Sequence, residues 1–225
     1  MKTYGELLLT AASPEQSFIE PLTIDDVKAA FKISTTNDKE DPWIQSLITA
    51  ARGIAETEQG GVDLCKKQYD LHLDVLLDHD VLHNYQSRHM SFYFDADMGI
   101  NLRFPLKSVD LLTIRDSTGT VTTLTEGYNG DYLVDLNRGR VIPPYGQIWP
   151  FYTPDVSSSV LIRFTSGYGP MDAFWKDSRG HCILQGMRML VAGWYDNRFP
   201  FGSQMYEVPF GITTLLRTGA RSRAF

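Results

Sequence analysis

The 225-residue sequence is poor in cysteine and lacks long apolar runs. Its two cysteines, Cys65 and Cys182, lie far apart, whereas a disulfide-stapled fold of this length would need more of them. We therefore expect reduced thiols in a cytosolic setting. No stretch approaches the roughly 18–20 unbroken apolar residues that span a membrane. Glu6 precedes the short run Leu7–Leu9, which makes a poor signal peptide.

An excess of positive charge is also missing. Lys and Arg number 21 against 27 Asp and Glu, which leaves a net charge of −6. This balance argues against a protein that reads nucleic-acid sequence, because such proteins normally present a basic face. It does not exclude a protein that lets DNA pass without binding it. With 43% apolar residues, the chain is suited to form a buried core.

Catalytic motifs are absent as well. Gly167–Gly169 is followed by Pro170 and not by a phosphate-binding glycine loop. No serine occupies a Gly-x-Ser-x-Gly elbow. Cys182 lies in an apolar helical pattern, which predicts a small buried side chain. We therefore predict no catalytic residue and no cofactor.

One group of residues with metal-ligating side chains lies in the first half of the chain. It consists of His72, Asp74, Asp78, His79, Asp80, His83 and His89. Histidine and aspartate are ligands of zinc and similar divalent ions. However, no Glu follows His79 as in a metalloprotease helix, and Leu77–Ser91 has the composition of a polar loop. We favour a solvated loop, and a metal-dependent enzyme is the weaker alternative.

Residues 22–61 show the pattern of two helices joined by a loop. Thr23 is a favoured N-cap for the first helix. Asp41-Pro42 predicts the start of the second helix, because Pro loses no hydrogen bond at the first helical position. Gly60-Gly61 predicts its end.

From residue 64 to residue 169 the apolar pattern becomes alternating, which predicts about five to seven short, mostly antiparallel strands. Two hairpins are predicted to turn at Asp116–Thr120 and at Asn137–Gly139. A further strand is predicted through Leu102–Pro105, and the last strand over Val160–Phe164.

Helical periodicity returns between Met171 and Asn197. Gly186 and Gly193 lie seven residues apart, on a shared helix face. Each costs roughly 1 kcal/mol relative to Ala in a helix interior. We therefore expect another helix to approach that face closely, with plain sequence tolerance as the alternative. Thr213–Arg217 predicts one short helix before a basic tail.

Together these patterns predict an α+β fold. A helical core of two N-terminal helices and one long later helix carries an inserted, mostly antiparallel β-domain. The predicted divisions are an N-terminal extension (1–21), the first part of the helical core (22–61), the inserted β-domain (62–170), the long helix (171–200) and a C-terminal tail (201–225).

Short motifs follow one another in a characteristic order. They are Pro21–Ile33, Asp38–Asp41 with Trp43–Ile48, Phe104–Val109, Tyr132–Asp135, Gly139–Ile142, Trp149-Pro150, Ile162–Gly169, Leu190–Arg198 and Val208–Leu216. Their order and spacing resemble the head–tail connector family of tailed bacteriophages, also called adaptor or head-completion proteins. The match covers most of residues 21–217. The first twenty residues and the segment from Leu76 to Ile100 depart from the pattern, which affects loop contacts.

The resemblance implies a structural virion protein without catalytic residues. Such connectors dock beneath the portal after DNA packaging as a ring of about a dozen copies, with closed cyclic symmetry. They extend the DNA channel and receive the next neck protein. The implied partners are other copies of the chain, the portal, a stopper or tail-completion protein, and double-stranded DNA that passes without sequence-specific binding. No membrane is involved. The implied location is the virion neck at the capsid vertex, reached through assembly in the host cytoplasm.

The resemblance also gives the C-terminus a role as a docking tail for the portal. The predicted docking residues are Leu215, Leu216, Arg217, Arg221 and Arg223. An apolar and basic tail suits a segment that orders on meeting a partner, and an ordinary frayed terminus is the alternative. A truncation after Phe210 is then expected to leave a folded protein that no longer attaches to DNA-filled heads.

Large aromatic side chains supply much of the energy of protein interfaces. Trp43, Trp149, Tyr168 and Trp175 are therefore candidates for lateral contacts within a ring. For Trp43 and Trp194, burial in the monomer core is the favoured alternative.

In a ring, the negative net charge suggests a hypothesis about the channel. Acidic side chains on the channel wall would repel DNA phosphates and keep DNA from binding there. A different virion module, such as a tail-completion or baseplate component, is the nearest alternative to a connector.

Overall fold

The structure, a computed structural model of the chain, divides into two compact units. It describes residues 5–9, 19–32, 38–73, 99–145, 147, 149, 159–196 and 210–218. The sheet unit comprises Met1–Ser17 and Lys66–Gly167, and the helical unit comprises Phe18–Cys65 and Tyr168–Phe225. The predicted α+β class is confirmed. None of the helices in these ranges is long and apolar enough to cross a membrane.

The described part of the sheet unit consists of antiparallel strands in two sheets. They are β1 (Gly5–Leu9), β2 (Lys67–Leu73), β3 (Ile100–Asn101), β4 (Leu106–Arg115), β5 (Val121–Thr123), β6 (Leu133–Asp135), β7 (Arg140–Ile142) and β8 (Val160–Ser166). One sheet has the order β1-β2-β8-β4-β5 and the other has the order β3-β7-β6. Strand β1 lies in the predicted N-terminal extension and pairs with β2.

Both predicted hairpins are confirmed. Strands β4 and β5 pair around Asp116, whose carboxylate accepts the backbone N–H groups of Thr118 and Thr120 at 2.8 Å each. Strands β6 and β7 pair around Gly139, which has a φ of 69°. The strand predicted through Leu102–Pro105 is wrong in its bounds. Here β3 ends at Asn101 and β4 begins after Pro105, which has no N–H to donate to a ladder.

The alternation of β2 places one of its faces in the core of the sheet unit. Tyr69, Leu71 and Leu73 are buried there, and the rings of Tyr69 and Phe164 lie 5.5 Å apart. Trp149 is also fully buried in this core. The prediction of Trp149 as a ring-contact residue is therefore wrong, because its own unit covers it.

An irregularity in β4 directs Asp110 across the sheet. The pairing of β4 with β8 shifts register between Val109 and Leu111, as at a β-bulge. The Asp110 carboxylate accepts hydrogen bonds from Gln68 Nε2 at 2.9 Å and Thr165 Oγ1 at 2.9 Å. Partial burial raises the pKa of Asp110, but these bonds and that from Ser108 lower it below its usual value. The bulge thus connects three strands through one side chain.

The described part of the helical unit contains α1 (Ile24–Phe31), α2 (Asp41–Glu58), α3 (Ser178–Asp196) and α4 (Phe210–Arg217), with 3-10 turns at Asp38–Glu40 and Ala173–Lys176. Thr23 caps α1 as predicted, in a capping box with Asp26. Helix α2 includes Asp41, so its N-cap is Glu40, one residue earlier than predicted. Gly60 and Gly61 have positive φ angles at its end.

Helix α3 begins later than Met171, where the periodicity begins. The chain first forms the 3-10 turn, whose residues Phe174 and Trp175 lie against the first turn of α3. A Cβ added at Gly180 would stand 2.2 Å from the backbone oxygen of Phe174. Tyr168 stacks on Phe174 at 4.0 Å, and Trp175 Nε1 donates to the carbonyl of Gly169 at 3.1 Å.

Two sequence predictions about burial are wrong in this unit. Cys65 is fully buried, whereas Cys182, predicted to be the buried cysteine, is partly exposed. Trp43 and Trp194 were expected in the core, yet both are only half-buried. Trp43 packs against Tyr195, with ring centroids 5.2 Å apart. These side chains lie at the margin of the helical core.

A buried ionic network centres on Arg52 of α2. Arg52 Nε donates to Glu20 at 2.8 Å, and its Nη1 donates to Glu56 at 3.2 Å. The Arg52 and Glu20 side chains are each 9% exposed and that of Glu56 is 10% exposed. Glu56 also accepts the backbone N–H of Leu64 at 3.0 Å. The network therefore ties the segment before α1 and the segment after α2 to α2 itself.

Replacing Arg52 with Leu is expected to lower the free energy of unfolding by about 3–5 kcal/mol, because it leaves two carboxylates buried without their cation. Urea titration followed by circular dichroism measures this loss. The control is Arg179→Leu, which removes an arginine with a 54% exposed side chain paired with Asp177 and should cost less than about 1 kcal/mol. Equal losses in the two variants would contradict the role of the network.

Candidate docking site: the C-terminal helix and its groove

The C-terminal docking prediction can be placed for three of its five residues. Leu215, Leu216 and Arg217 lie on α4. Arg221 and Arg223 lie outside the described residues. The docking role itself stays a prediction.

Helix α4 is part of the helical core. Ile212 is 6% exposed and Leu216 is fully buried. They join a cluster with Ile183, Met187 and other apolar residues of α2 and α3. The short helix predicted over Thr213–Arg217 is confirmed, although it begins at Phe210. A truncation after Phe210 would remove two core residues, so the expectation that it leaves the protein folded is not supported.

The groove that receives α4 depends on a glycine of α3. A Cβ added at Gly186 would lie 2.7 Å from Leu216 Cδ2 and 3.5 Å from Leu215 Cβ. Any side chain at this position would meet the buried end of Leu216. The close approach predicted for Gly186 is therefore confirmed. Among the residues that the structure describes, no such approach is seen at Gly193, where an added Cβ would meet no atom within 4 Å.

Gln59, just after α2, fixes the other end of α4. Its side chain is buried, and Nε2 donates to the carbonyl of Leu216 and, at 3.5 Å, to that of Thr218. The last carbonyls of a helix have no partner within the helix, so this amide satisfies groups that would otherwise need water. The sequence contains no signal for this contact, because it joins residues 157 positions apart.

The outer face of α4 is polar and basic. Thr214 and Arg217 are exposed, whereas Thr213 and Leu215 are partly buried. Arg217 Nε donates to Glu58 Oε2 at 2.6 Å, yet the Arg217 side chain is 65% exposed. This face presents the Arg217 guanidinium to solvent, where another protein could contact it.

The chemistry of this site is recognition by packing, hydrogen bonds and charge. Among the described residues, no group of three or more His, Cys, Asp or Glu is placed to hold a metal ion. Of the predicted histidine group, His72 is half-buried on β2. Asp74, Asp78, His79, Asp80, His83 and His89 lie outside the described residues.

Gly186→Ala is expected to reduce the free energy of unfolding by about 1–3 kcal/mol relative to Gly193→Ala. Both changes bring the same gain in helix propensity, but only the first forces a methyl group into the packed contact with Leu216. Chemical denaturation of the two variants measures the difference. Equal stabilities would show that α4 does not lie against Gly186.

Comparison with known proteins identifies the fold. No protein-family model and no curated protein matches the chain. A chain in the neck of an empty gene transfer agent (GTA) particle, computed with C6 symmetry, matches with a TM-score of 0.65 and 19% identity. The match covers 98% of this chain and 97% of that chain.

Two further solved structures give similar matches. A chain of the virion of a native GTA particle has a TM-score of 0.64 and 20% identity, with 97% of both chains covered. A chain in the neck of a native GTA particle, computed with C12 symmetry, has a TM-score of 0.59 and 21% identity over 98% of this chain and 97% of that chain. Over nearly its whole length, this chain therefore has the fold of chains from GTA necks, in agreement with the connector resemblance of its sequence.

Proposed function

We propose that this protein is a head–tail connector, a structural component of the neck of a phage-like particle. In this role it forms a ring, docks below the portal, extends the DNA channel and receives the next neck or tail protein. It works in the assembled virion and is incorporated during assembly in the host cell. The observation that carries the proposal is the full-length fold match to chains of GTA necks.

Two further observations support the proposal, the first of them the ring. The matched necks were computed with C6 and C12 symmetry, and a closed ring of identical chains follows such rotational symmetry. The connector motifs of the sequence also span both units, from Pro21 to Leu216. The proposal thus draws on the whole chain and not on one domain.

The proposed contact with the portal is made by the C-terminal segment. Residues 210–225 include Leu215, Leu216, Arg217, Arg221 and Arg223, with no Asp or Glu. This composition contrasts with the acidic balance of the chain as a whole. A basic segment at one end of an acidic protein suits attachment to a separate partner. DNA makes no specific contact in this proposal.

Electron microscopy of DNA-filled particles tests the ring. Particles that contain the protein are expected to show a ring of about a dozen copies directly below the portal, and particles made without it should lack this density and remain tailless. Density at the distal end of the tail instead would contradict a connector and favour a baseplate component.

A stop codon after Thr218 tests the docking segment. It removes Arg221 and Arg223 but keeps Ile212 and Leu216 in the core. The truncated protein is expected to unfold at the same temperature as the full chain and to attach at least tenfold more weakly to DNA-filled heads. Sedimentation of heads with bound protein measures attachment. Unchanged attachment would remove residues 219–225 from the docking role.

A further inference from the structure

The two faces of α4 offer different chemistry to a docking partner. Ile212 and Leu216 on the inner face are buried in the helical core. Thr214 and Arg217 on the outer face are exposed. A partner can contact the outer face while α4 stays in place. It can contact Leu216 only if the helix leaves its groove.

At least three contacts between described residues hold α4 in the groove. Gly186 lets Leu216 approach α3 closely, Gln59 satisfies carbonyls at the C-terminal end of α4, and Glu58 pairs with Arg217 at 2.6 Å. Departure of the helix would break all three contacts and would expose buried apolar surface on both sides. Docking therefore either leaves α4 in its groove or requires enough binding free energy to break these contacts.

The net positive charge of the C-terminal segment favours an acidic partner. Residues 210–225 contain three arginines and no acid, and without those three the chain has 18 Lys and Arg against 27 Asp and Glu. The side chain of Arg217 remains 65% exposed although its Nε donates to Glu58. A guanidinium carries five N–H donors, and it pairs best with carboxylates, often through two parallel hydrogen bonds.

We propose that α4 docks without leaving its groove and presents its outer face, with Arg217, to an acidic surface of the protein on which the ring is seated. In the sequence, Arg221 and Arg223 follow Arg217 and add to the positive charge of this segment. The inference rests on the proposed function and deepens it. It assigns Leu216 to the core of its own chain, and it makes docking a contact of arginine with carboxylates.

Loosening α4 separates seated docking from helix release. Gly186→Ala places a methyl group 2.7 Å from Leu216 Cδ2 and so disfavours the seated helix. The control is Gly193→Ala, which adds the same methyl group to α3 where, among the described residues, it meets no atom within 4 Å. If docking required release, the loosened protein would attach more tightly, because its released state would be more populated.

The probe is DNA-filled particles assembled without this protein. We expect Gly186→Ala to attach to these particles no more tightly than Gly193→Ala. Tighter attachment by Gly186→Ala would overturn the inference, because it would show that α4 must leave the groove. Failure of the wild-type protein to attach would instead overturn the proposed function, and the inference with it.

A charge series tests the partner's chemistry. Arg217→Glu is expected to weaken attachment at least tenfold, whereas Arg217→Lys should keep most of it. The control is Arg179→Glu, which reverses the charge of an arginine on α3 with a 54% exposed side chain and should attach normally. Raising the salt from about 50 mM to about 500 mM should weaken wild-type attachment.

Two results of the charge series would overturn the inference. The first is normal attachment by Arg217→Glu, which would show that the exposed guanidinium makes no contact with the partner. The second is that Arg217→Glu loses its association with other copies of the chain while its attachment to particles stays normal. A second copy, and not the portal, would then be the partner of this face.

Discussion

The absence of a side chain at Gly186 is the constraint on which the C-terminal part of the helical unit depends. A side chain at this position would meet Leu216 in the core and would push α4 away from the place where Gln59 meets its last carbonyls. By letting Leu216 pack against α3, Gly186 also sets the position of Arg217, the next residue on α4. One missing methyl group thus connects the packing of the core to the placement of an exposed charge.

The same helix then serves two purposes that usually conflict. A docking segment should be accessible, whereas a core segment should be buried. Helix α4 divides these demands between its faces, because Ile212 and Leu216 point inward and Thr214 and Arg217 lie outside. This division explains how a segment can look like a mobile tail in composition and yet belong to a packed unit. It also explains why an apolar pair such as Leu215-Leu216 is a weak sign of a docking surface.

Much of the fold could be predicted from local patterns, because the residues that determine it act within a few positions. Thr23 caps its own helix, Asp116 organises its own turn, and the alternation before Leu73 marks a strand. The rest depends on tertiary contacts. Gln59 donates a hydrogen bond to a residue of α4 that lies 157 positions away, and Arg52 pairs with Glu20 and Glu56, of which Glu20 lies before α1. The burial of Trp149 and Cys182 differs from the prediction because no local sequence pattern shows which other residues cover a side chain. Gly186 and Gly193 carried the same sequence signal, and only the structure distinguishes them.

The insertion of the sheet unit has a consequence for synthesis of the protein. Helix α2 ends at Glu58, and α3 begins at Ser178, so a ribosome that adds about 5–20 residues per second needs roughly 6–24 s between them. During that time the apolar face of α2 stays uncovered, because α3, which packs against it, has not yet been made. Strands β2 to β8 can already pair. Helix α4 follows α3 in the chain and is therefore synthesised after it. The core of the helical unit is completed only once α4 has been made, and the segment that closes this core also carries the proposed docking face.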